Sequence, residues 1–224
     1  MKHFLIFGIV LIAAFSCKKQ DTTIVYGYHY FPFEEGKYVV YDVLDIFHDV
    51  ALDPAHDTNR YQIKEVISDA FVDEEGETSR RLLRYIREND SADWAIKDVW
   101  AIKRTPRNAQ VVEENDRYIK MAFAISYDQD WDCNALNNES SKDCYYADIY
   151  RPYSIGGMTH DSTVTVEHED FQSFIDYKRS FEVYAAGIGK VHSVKKDLSI
   201  NNNDTLDVQY GTELIYTAVE WGEE

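Results

Sequence analysis

Short segments with an apolar side chain at every second position run through most of the chain. Tyr61, Ile63 and Ile67, for example, alternate with polar residues. Polar turns separate such segments at intervals of about 8–12 residues, and no stretch of three helical turns shows convincing helical spacing. Alternation with a period of two is typical of strands that bury one face. The pattern predicts an all-β fold: a curved antiparallel meander, closed as a barrel or a sandwich of eight or more strands.

The alternating segments predict where the strands lie and which way their side chains face. We expect strands near residues 38–47, 61–68, 82–87, 92–103, 110–113, 117–125, 145–150, 162–167, 174–177, 181–184, 190–195 and 213–221. In the third strand the pattern assigns Leu83 and Tyr85 to the apolar face and the intervening basic residues to the other. In the fourth, Ile96 and Trp100 share a face. A short helix over residues 170–177 is the alternative at that point.

Composition and charge restrict the function classes. The chain has 40 acidic against 23 basic residues, for a formal net charge of -17. This charge repels the phosphates of nucleic acids and anionic lipid head groups, so a DNA- or RNA-binding role is excluded. The 17 Tyr and 11 Phe, with only 4 Pro, favour sheet over helix.

The N-terminus resembles an export signal. An apolar run over residues 4–15 follows a short basic start. As a helix it would span about 18 Å, short of the hydrocarbon core of about 30 Å, so it predicts a signal peptide rather than a membrane span. The sequence Ala13-Ala14-Phe15-Ser16-Cys17 resembles the lipobox of bacterial lipoproteins.

The lipobox resemblance implies that Cys17 receives lipid and becomes the new N-terminus. We then expect a signal peptide at 1–16, a tether at 17–23 and a single β-domain at 24–224. The implied location is the outer membrane, held there by the lipid on Cys17. A plain secretory signal with a nearby cysteine is the alternative.

The two remaining cysteines predict a disulfide. Cys133 and Cys144 lie in the longest irregular stretch, residues 124–160. An even number of cysteines in an oxidising compartment favours pairing, and closing a loop of this length is worth about 3 kcal/mol. Two free thiols are the alternative. No further ligands with zinc-like spacing accompany them.

Three segments of the body carry a family resemblance. They are Phe31-Pro32-Phe33-Glu34-Glu35-Gly36-Lys37-Tyr38-Val39-Val40-Tyr41, Trp131-Asp132-Cys133-Asn134, and Glu182-Val183-Tyr184-Ala185-Ala186-Gly187-Ile188-Gly189-Lys190-Val191. Together with Cys17 they resemble a group of small outer-membrane lipoproteins of Bacteroidota with no assigned activity. The resemblance implies a location and an architecture, but it implies no catalytic activity or ligand. The group tends to have a small residue where this chain has Cys133, so the disulfide is expected to be peculiar to this member.

One acidic loop has the ligand spacing of a calcium site. Asp128, Asp130, Asp132 and Glu139 occupy relative positions 1, 3, 5 and 12 of a twelve-residue calcium loop. Cys133 stands where such a loop has the glycine that allows its sharp turn. Calcium is the one cofactor that the sequence suggests, and a solvated acidic loop is the alternative.

A second metal hypothesis concerns two histidines. His48 and His56, with Asp53 between them, predict either a His/carboxylate metal site or an exposed polar turn.

A run of aromatic residues precedes the first strand, at Tyr26, Tyr28, Tyr30, Phe31 and Phe33. Their flat rings suit either a carbohydrate- or lipid-facing platform or a segment that covers one end of the sheet. We favour the cover.

No catalytic residue is assigned. The chain has no Gly-x-Ser-x-Gly elbow, and Gly187-Ile188-Gly189 lacks the third glycine of a dinucleotide loop. The leading hypothesis is non-enzymatic: binding of an apolar or glycan-like ligand, or support of a protein complex in the envelope. A secreted hydrolase acting on glycan or lipid is the alternative. Carboxylate pairs such as Glu167 and Glu169 could share a strand face, but with 40 acidic residues in the chain such a pair assigns no catalytic role.

Overall fold

A computed structural model describes residues 25–224 of the protein; the predicted signal peptide and Cys17 lie outside these residues. The described chain begins with a single 3-10 turn, Tyr28–Tyr30, and contains no α-helix. It continues with β1 (Lys37–Asp49), β2 (His56–Val72), β3 (Thr78–Arg87), β4 (Ala95–Arg104), β5 (Asn108–Glu113), β6 (Asp116–Ala122), β7 (Asp130–Asp132), β8 (Asp143–Ile155), β9 (Met158–Gln172), β10 (Asp176–Ala185), β11 (Gly189–Asn201) and β12 (Asp204–Glu223).

The strands of the described chain form one antiparallel sheet in the order β6-β5-β4-β3-β2-β1-β12-β11-β10-β9-β8-β7. Contacts between its two ends nearly close the sheet into a barrel. The backbone N–H of Ile119 donates to the carbonyl of Cys133 at 2.9 Å, and the indole of Trp131 donates to the carbonyl of Ile119 at 3.0 Å. The predicted all-β meander is confirmed, and its form is a barrel rather than a sandwich.

The region near residue 173 differs from the prediction. β9 extends to Gln172 and β10 begins at Asp176, so neither a short helix over 170–177 nor a separate strand at 174–177 exists. The hydroxyl of Ser173 accepts the backbone N–H groups of Ile175 at 3.2 Å and Asp176 at 2.9 Å. Such a side chain-to-backbone turn competes with helix formation.

The faces of β3 are the reverse of those predicted from its sequence. Leu82 and Arg84 are buried in the barrel, whereas Leu83 and Tyr85 are only half-buried. The reason is long-range: Arg84 lies opposite acidic partners on both neighbouring strands, which make its burial tolerable.

A β-bulge in β4 changes the direction of its side chains. Arg84 pairs with Asp98 but Tyr85 pairs with Ile96, so one residue of β4 is left over. Because the extra residue shifts the alternation, Ile96 is 58% exposed while Trp100 packs against the core. The predicted common face for these two residues is therefore wrong.

Residues 25–36, called here the plug segment, cover one end of the barrel. Tyr30 and Phe31 are buried there. The guanidinium of Arg104 donates to the carbonyl of Phe31 at 2.9 Å, and the N–H of Gly187 donates to that of His29 at 2.8 Å. The aromatic run before the first strand is thus a cover, the alternative that the sequence favours. Within residues 25–224, no helix is long and apolar enough to cross a membrane.

Candidate functional site

Charged side chains occupy the middle of the barrel interior. We call this set the lumen charge cluster. It consists of Glu65, Arg84, Asp98, Glu113, Lys120, His168, Glu182 and Lys190. They come from eight different strands, because side chains alternate along each strand and each of these strands places one such residue on its inner face.

Arg84 organises one half of the cluster. Its Nε lies 3.1 Å from Glu65 Oε1, and its Nη1 lies 3.0 Å from both carboxylate oxygens of Asp98. The guanidinium carbon stacks 3.6 Å above the ring of Trp100, and Nη2 donates to the Tyr216 hydroxyl at 3.3 Å. Burial alone would lower the pKa of Arg84, but the carboxylates raise it, so the side chain is a fixed cation.

Lys120 organises the other half. Its Nζ lies 2.7 Å from Glu113 Oε1 and 3.6 Å from Glu182 Oε1. The Tyr184 hydroxyl donates to Glu182 Oε2 at 2.7 Å, and His168 Nε2 lies 3.3 Å from the same oxygen. Burial would raise the pKa of Glu182, but the neighbouring cations hold it well below its usual value, and Lys120 has the largest effect among them. Glu182 is therefore an ionised acceptor.

Lys190 has the loosest pairing in the cluster. Its Nζ lies 3.9 Å from Glu65 Oε2, and it faces the rings of Tyr41 and Tyr216 at 5.5 and 5.4 Å. Burial raises the pKa of Tyr216 to about 12, so its hydroxyl keeps its proton. The ammonium group thus retains capacity for a further acceptor.

Two neighbouring cavities lie on either side of the cluster. The inner cavity, on the plug side, measures about 80 Å³, and apolar residues such as Phe31, Leu82 and Ile102 line it. The outer cavity measures about 290 Å³, and because the exposed Glu139 and Lys195 line it, it reaches solvent. Residues common to both walls are Trp100, Glu113, Lys120, Glu182 and Lys190.

The predicted disulfide is present beside the outer cavity. The Cα atoms of Cys133 and Cys144 are 5.9 Å apart, within the usual range for a disulfide. His168 Nδ1 lies 3.6 and 3.3 Å from the two sulfur atoms. These three residues would make a metal site only as thiolates, and in the disulfide each sulfur is already bonded to the other.

The structure does not bring the predicted calcium ligands together. The carboxylate of Asp132 accepts hydrogen bonds from backbone N–H groups of its own loop, chiefly that of Lys142. These hydrogen bonds lower the pKa of Asp132. Glu139 instead accepts from the Tyr118 hydroxyl at 3.2 Å, and Asp130 begins β7. Asp128 lies in the turn before that strand. Among residues 25–224, the cysteine–histidine trio alone brings three candidate ligand atoms within 4.8 Å of one another.

The predicted histidine pair does meet. His48 and His56 are partners across β1 and β2, with their Nδ1 atoms 2.9 Å apart. His48 Nε2 lies 3.0 Å from Glu213 Oε1, and Lys196 binds the other oxygen of that carboxylate at 2.5 Å. Asp53 takes no part in these contacts. The arrangement is a polar network that joins β1, β2, β11 and β12 at the end of the barrel opposite the plug segment.

Sequence reasoning missed the lumen charge cluster. A faint signal exists, since Glu65 and Arg84 occupy positions that are in phase with apolar residues of the same strand, Ile63 and Leu82. A single charged residue in an apolar series is equally typical of the end of a strand. Only the partners of that residue in the folded structure show that it is buried.

The fold and site together define a class: a nearly closed antiparallel barrel with a charged lumen that opens to solvent at one end. No family model, curated protein or solved structure matches this chain. Its function is therefore inferred from its own residues.

Proposed function

We propose that this protein is a lipid-anchored envelope protein whose barrel binds a small molecule in the outer cavity. The observation that carries the proposal is a solvent-reaching cavity of about 290 Å³ lined by converging polar groups and aromatic rings. Pockets for small molecules start at roughly 300 Å³, and their polar groups orient the ligand. Buried charges also cost stability, so a fold without a ligand to position gains little from them.

A scaffold for an envelope complex is less well supported. That role would favour a filled interior and a long free strand edge. Here the edge strands β6 and β7 approach each other through Ile119, Trp131 and Cys133, and β7 has only three residues.

The hydrolase alternative requires a carboxyl group that is protonated near neutral pH beside a second carboxylate. Glu113 and Glu182 do converge, but both bind Lys120, and the lowered pKa of Glu182 keeps it ionised. The lumen carboxylates are therefore suited to holding cations in place.

The pair suggested by sequence, Glu167 and Glu169, is split by a bulge in β9. Glu167 pairs with Phe181 and Glu169 with Ser180, so the two carboxylates point to opposite faces. Burial raises the pKa of Glu167, but its carboxylate binds Arg179, whereas Glu169 lies 3.0 Å from the ammonium of Lys142.

The anchor is part of the proposal. A tether from Cys17 to Val25 reaches at most about 28 Å, so the plugged end of the barrel would face the membrane and the outer cavity would face away. Cys17→Ser should move the protein from the membrane to the soluble envelope fraction. Unchanged sedimentation of this variant with membranes would contradict lipid anchoring.

Native mass spectrometry tests the binding role. The protein is extracted from membranes in mild detergent, and a small-molecule adduct is expected. Ser193→Trp places a large side chain in the outer cavity and should remove the adduct. Ser199→Trp, at an exposed position of β11 that does not line the cavity, is the matched control. An adduct retained by folded Ser193→Trp protein would contradict the proposed site.

A further inference from the structure

The surface of the outer cavity presents more cations than acids. The cations that line it are Arg84, Lys120, Lys142, Lys190 and Lys195. The acids that line it are Glu113, Glu139 and Glu182. Cations thus outnumber acids at this surface, although the chain has 23 basic against 40 acidic residues. Three further carboxylates, Glu65, Asp98 and Glu169, lie behind the wall and pair with these cations, so an anion would be attracted only by cations that lack a close carboxylate.

Most of these cations already have close partners. Arg84 and Lys120 belong to the ion pairs described above, and Lys142 lies 3.0 Å from Glu169. Lys190 has its nearest carboxylate at 3.9 Å, and Lys195 forms no ion pair within residues 25–224. Two ammonium groups at the cavity wall therefore lack a close carboxylate.

A β-bulge in β11 aligns these two lysines. Val183 pairs with His192, but Tyr184 pairs with Lys190, so Val191 is an extra residue in β11. Lys190 and Lys195 are an odd number of residues apart and would face opposite sides of a regular strand. Because of the bulge, Lys190, Ser193 and Lys195 all line the outer cavity.

We propose that the outer cavity binds a small organic anion, whose carboxylate or phosphate group is held by Lys190 and Lys195. This inference rests on the proposed function and names its ligand class. The hydroxyls of Ser193 and Tyr216 line the same wall and supply neutral donors beside the two cations. The volume equals that of about ten water molecules, which suits a compound of sugar size.

Calorimetric titration of the full chain with glucuronate, glucose 6-phosphate and glucose tests the ligand class. The three probes share a sugar ring and differ in charge, and the first two separate carboxylate from phosphate. We expect at least one anionic sugar to bind about tenfold or more tightly than glucose, because charge-assisted hydrogen bonds are the stronger ones.

The double variant Lys190→Gln/Lys195→Gln should weaken binding of the anion about tenfold or more. Lys196→Gln, on the opposite face of the same strand, is the control and should bind as the wild type does. Circular dichroism of each variant verifies that the barrel is folded.

The outcomes separate this inference from the proposed function. Equal binding of glucose and its anionic analogues, or unchanged anion binding by the double variant, overturns the anion inference and leaves lumen binding standing. If none of the three sugars binds, the charge of the molecule that copurifies with the native protein tests the anion inference. An anionic adduct that the double variant loses supports the inference, and a neutral or cationic adduct overturns it. Absence of any adduct overturns both proposals.

Discussion

The inner and outer parts of the barrel interior are built from different chemistry. On the plug side, apolar residues such as Phe31, Leu82 and Ile102 line a small cavity, and the lumen charge cluster forms the rest of its wall. On the open side, ion pairs surround a cavity more than three times as large. Apolar burial stabilises a fold without further conditions, whereas buried charges cost desolvation energy that their partners only offset.

This difference indicates what each part does. The apolar part, which packs against the plug segment, holds the barrel together. The charged part contributes little net stability and keeps polar groups fixed around a space that solvent reaches, as a binding site requires. A ligand would then enter at the end opposite the plug, away from the predicted anchor at Cys17.

The largest expected effect comes from removing the central cation of the charged part. Arg84→Met removes the closest cation from the buried Glu65 and one of the two cations on the half-buried Asp98, and it should lower the free energy of unfolding by about 3–5 kcal/mol, measured by urea denaturation. Arg81→Met, an exposed arginine on the same strand, should cost less than about 1 kcal/mol.

A second variant shows whether Arg84→Met lowers the stability because it leaves buried carboxylates without a cation. Replacing all three residues, as Glu65→Leu/Arg84→Met/Asp98→Leu, should restore most of the lost stability, because no buried carboxylate remains alone. A triple variant as unstable as Arg84→Met would show that the charges themselves hold the barrel together and would remove the contrast between the two parts.

The apolar part should respond to truncation of the plug. Phe31→Ala removes a buried ring that lines the inner cavity and should cost about 3 kcal/mol. Phe174→Ala, a matched change at a side chain that is 64% exposed, should stay within about 0.5 kcal/mol of the wild type. Equal effects of the two changes would mean that burial of Phe31 in the plug segment does not stabilise the barrel.

Removal of the disulfide should have a somewhat smaller effect. Cys133→Ser/Cys144→Ser frees the unfolded chain from one short closed loop and should cost about 2–3 kcal/mol. Because Cys133 lines the outer cavity, ligand affinity should fall as well. Mass spectrometry of non-reduced peptides checks the bond directly, and free thiols in protein from the envelope would refute it.

The smallest effect expected is a change in acid stability. The pKa of Glu182 is lower in the folded protein than in the unfolded chain, so its contribution is fully present above the unfolded value and is lost as pH falls below it. We expect stability to decline below about pH 4.5 in the wild type and to decline less steeply in Glu182→Gln. Denaturation midpoints measured from pH 7 to pH 3 test this slope, with the exposed Glu139→Gln as control. Identical slopes in the wild type and in Glu182→Gln would show that Glu182 does not contribute to the loss of stability in acid.

Particular residues show how far sequence reasoning reaches. It located most strands, the cover formed by Tyr30 and Phe31, and the pairing of Cys133 with Cys144. It missed β7, because three residues in a loop give no measurable alternation. It also assigned the wrong face to Arg84 and to Ile96, since neither a distant carboxylate nor a one-residue bulge leaves a local signal.

The sequence by itself determined that this is an all-β protein, because alternation is a local property that each strand carries independently. It also carries an apolar N-terminal run and a lipobox resemblance, which predict an export signal and an anchor at Cys17. The tertiary structure decided that the sheet forms a barrel, that its interior is charged, and that Lys190 and Lys195 face one cavity. Arg84 and Tyr216 are 132 residues apart in sequence, and only closure of the sheet brings them into contact. Burial of a charge depends on such partners, and they are chosen by register and bulges rather than by the residues beside it.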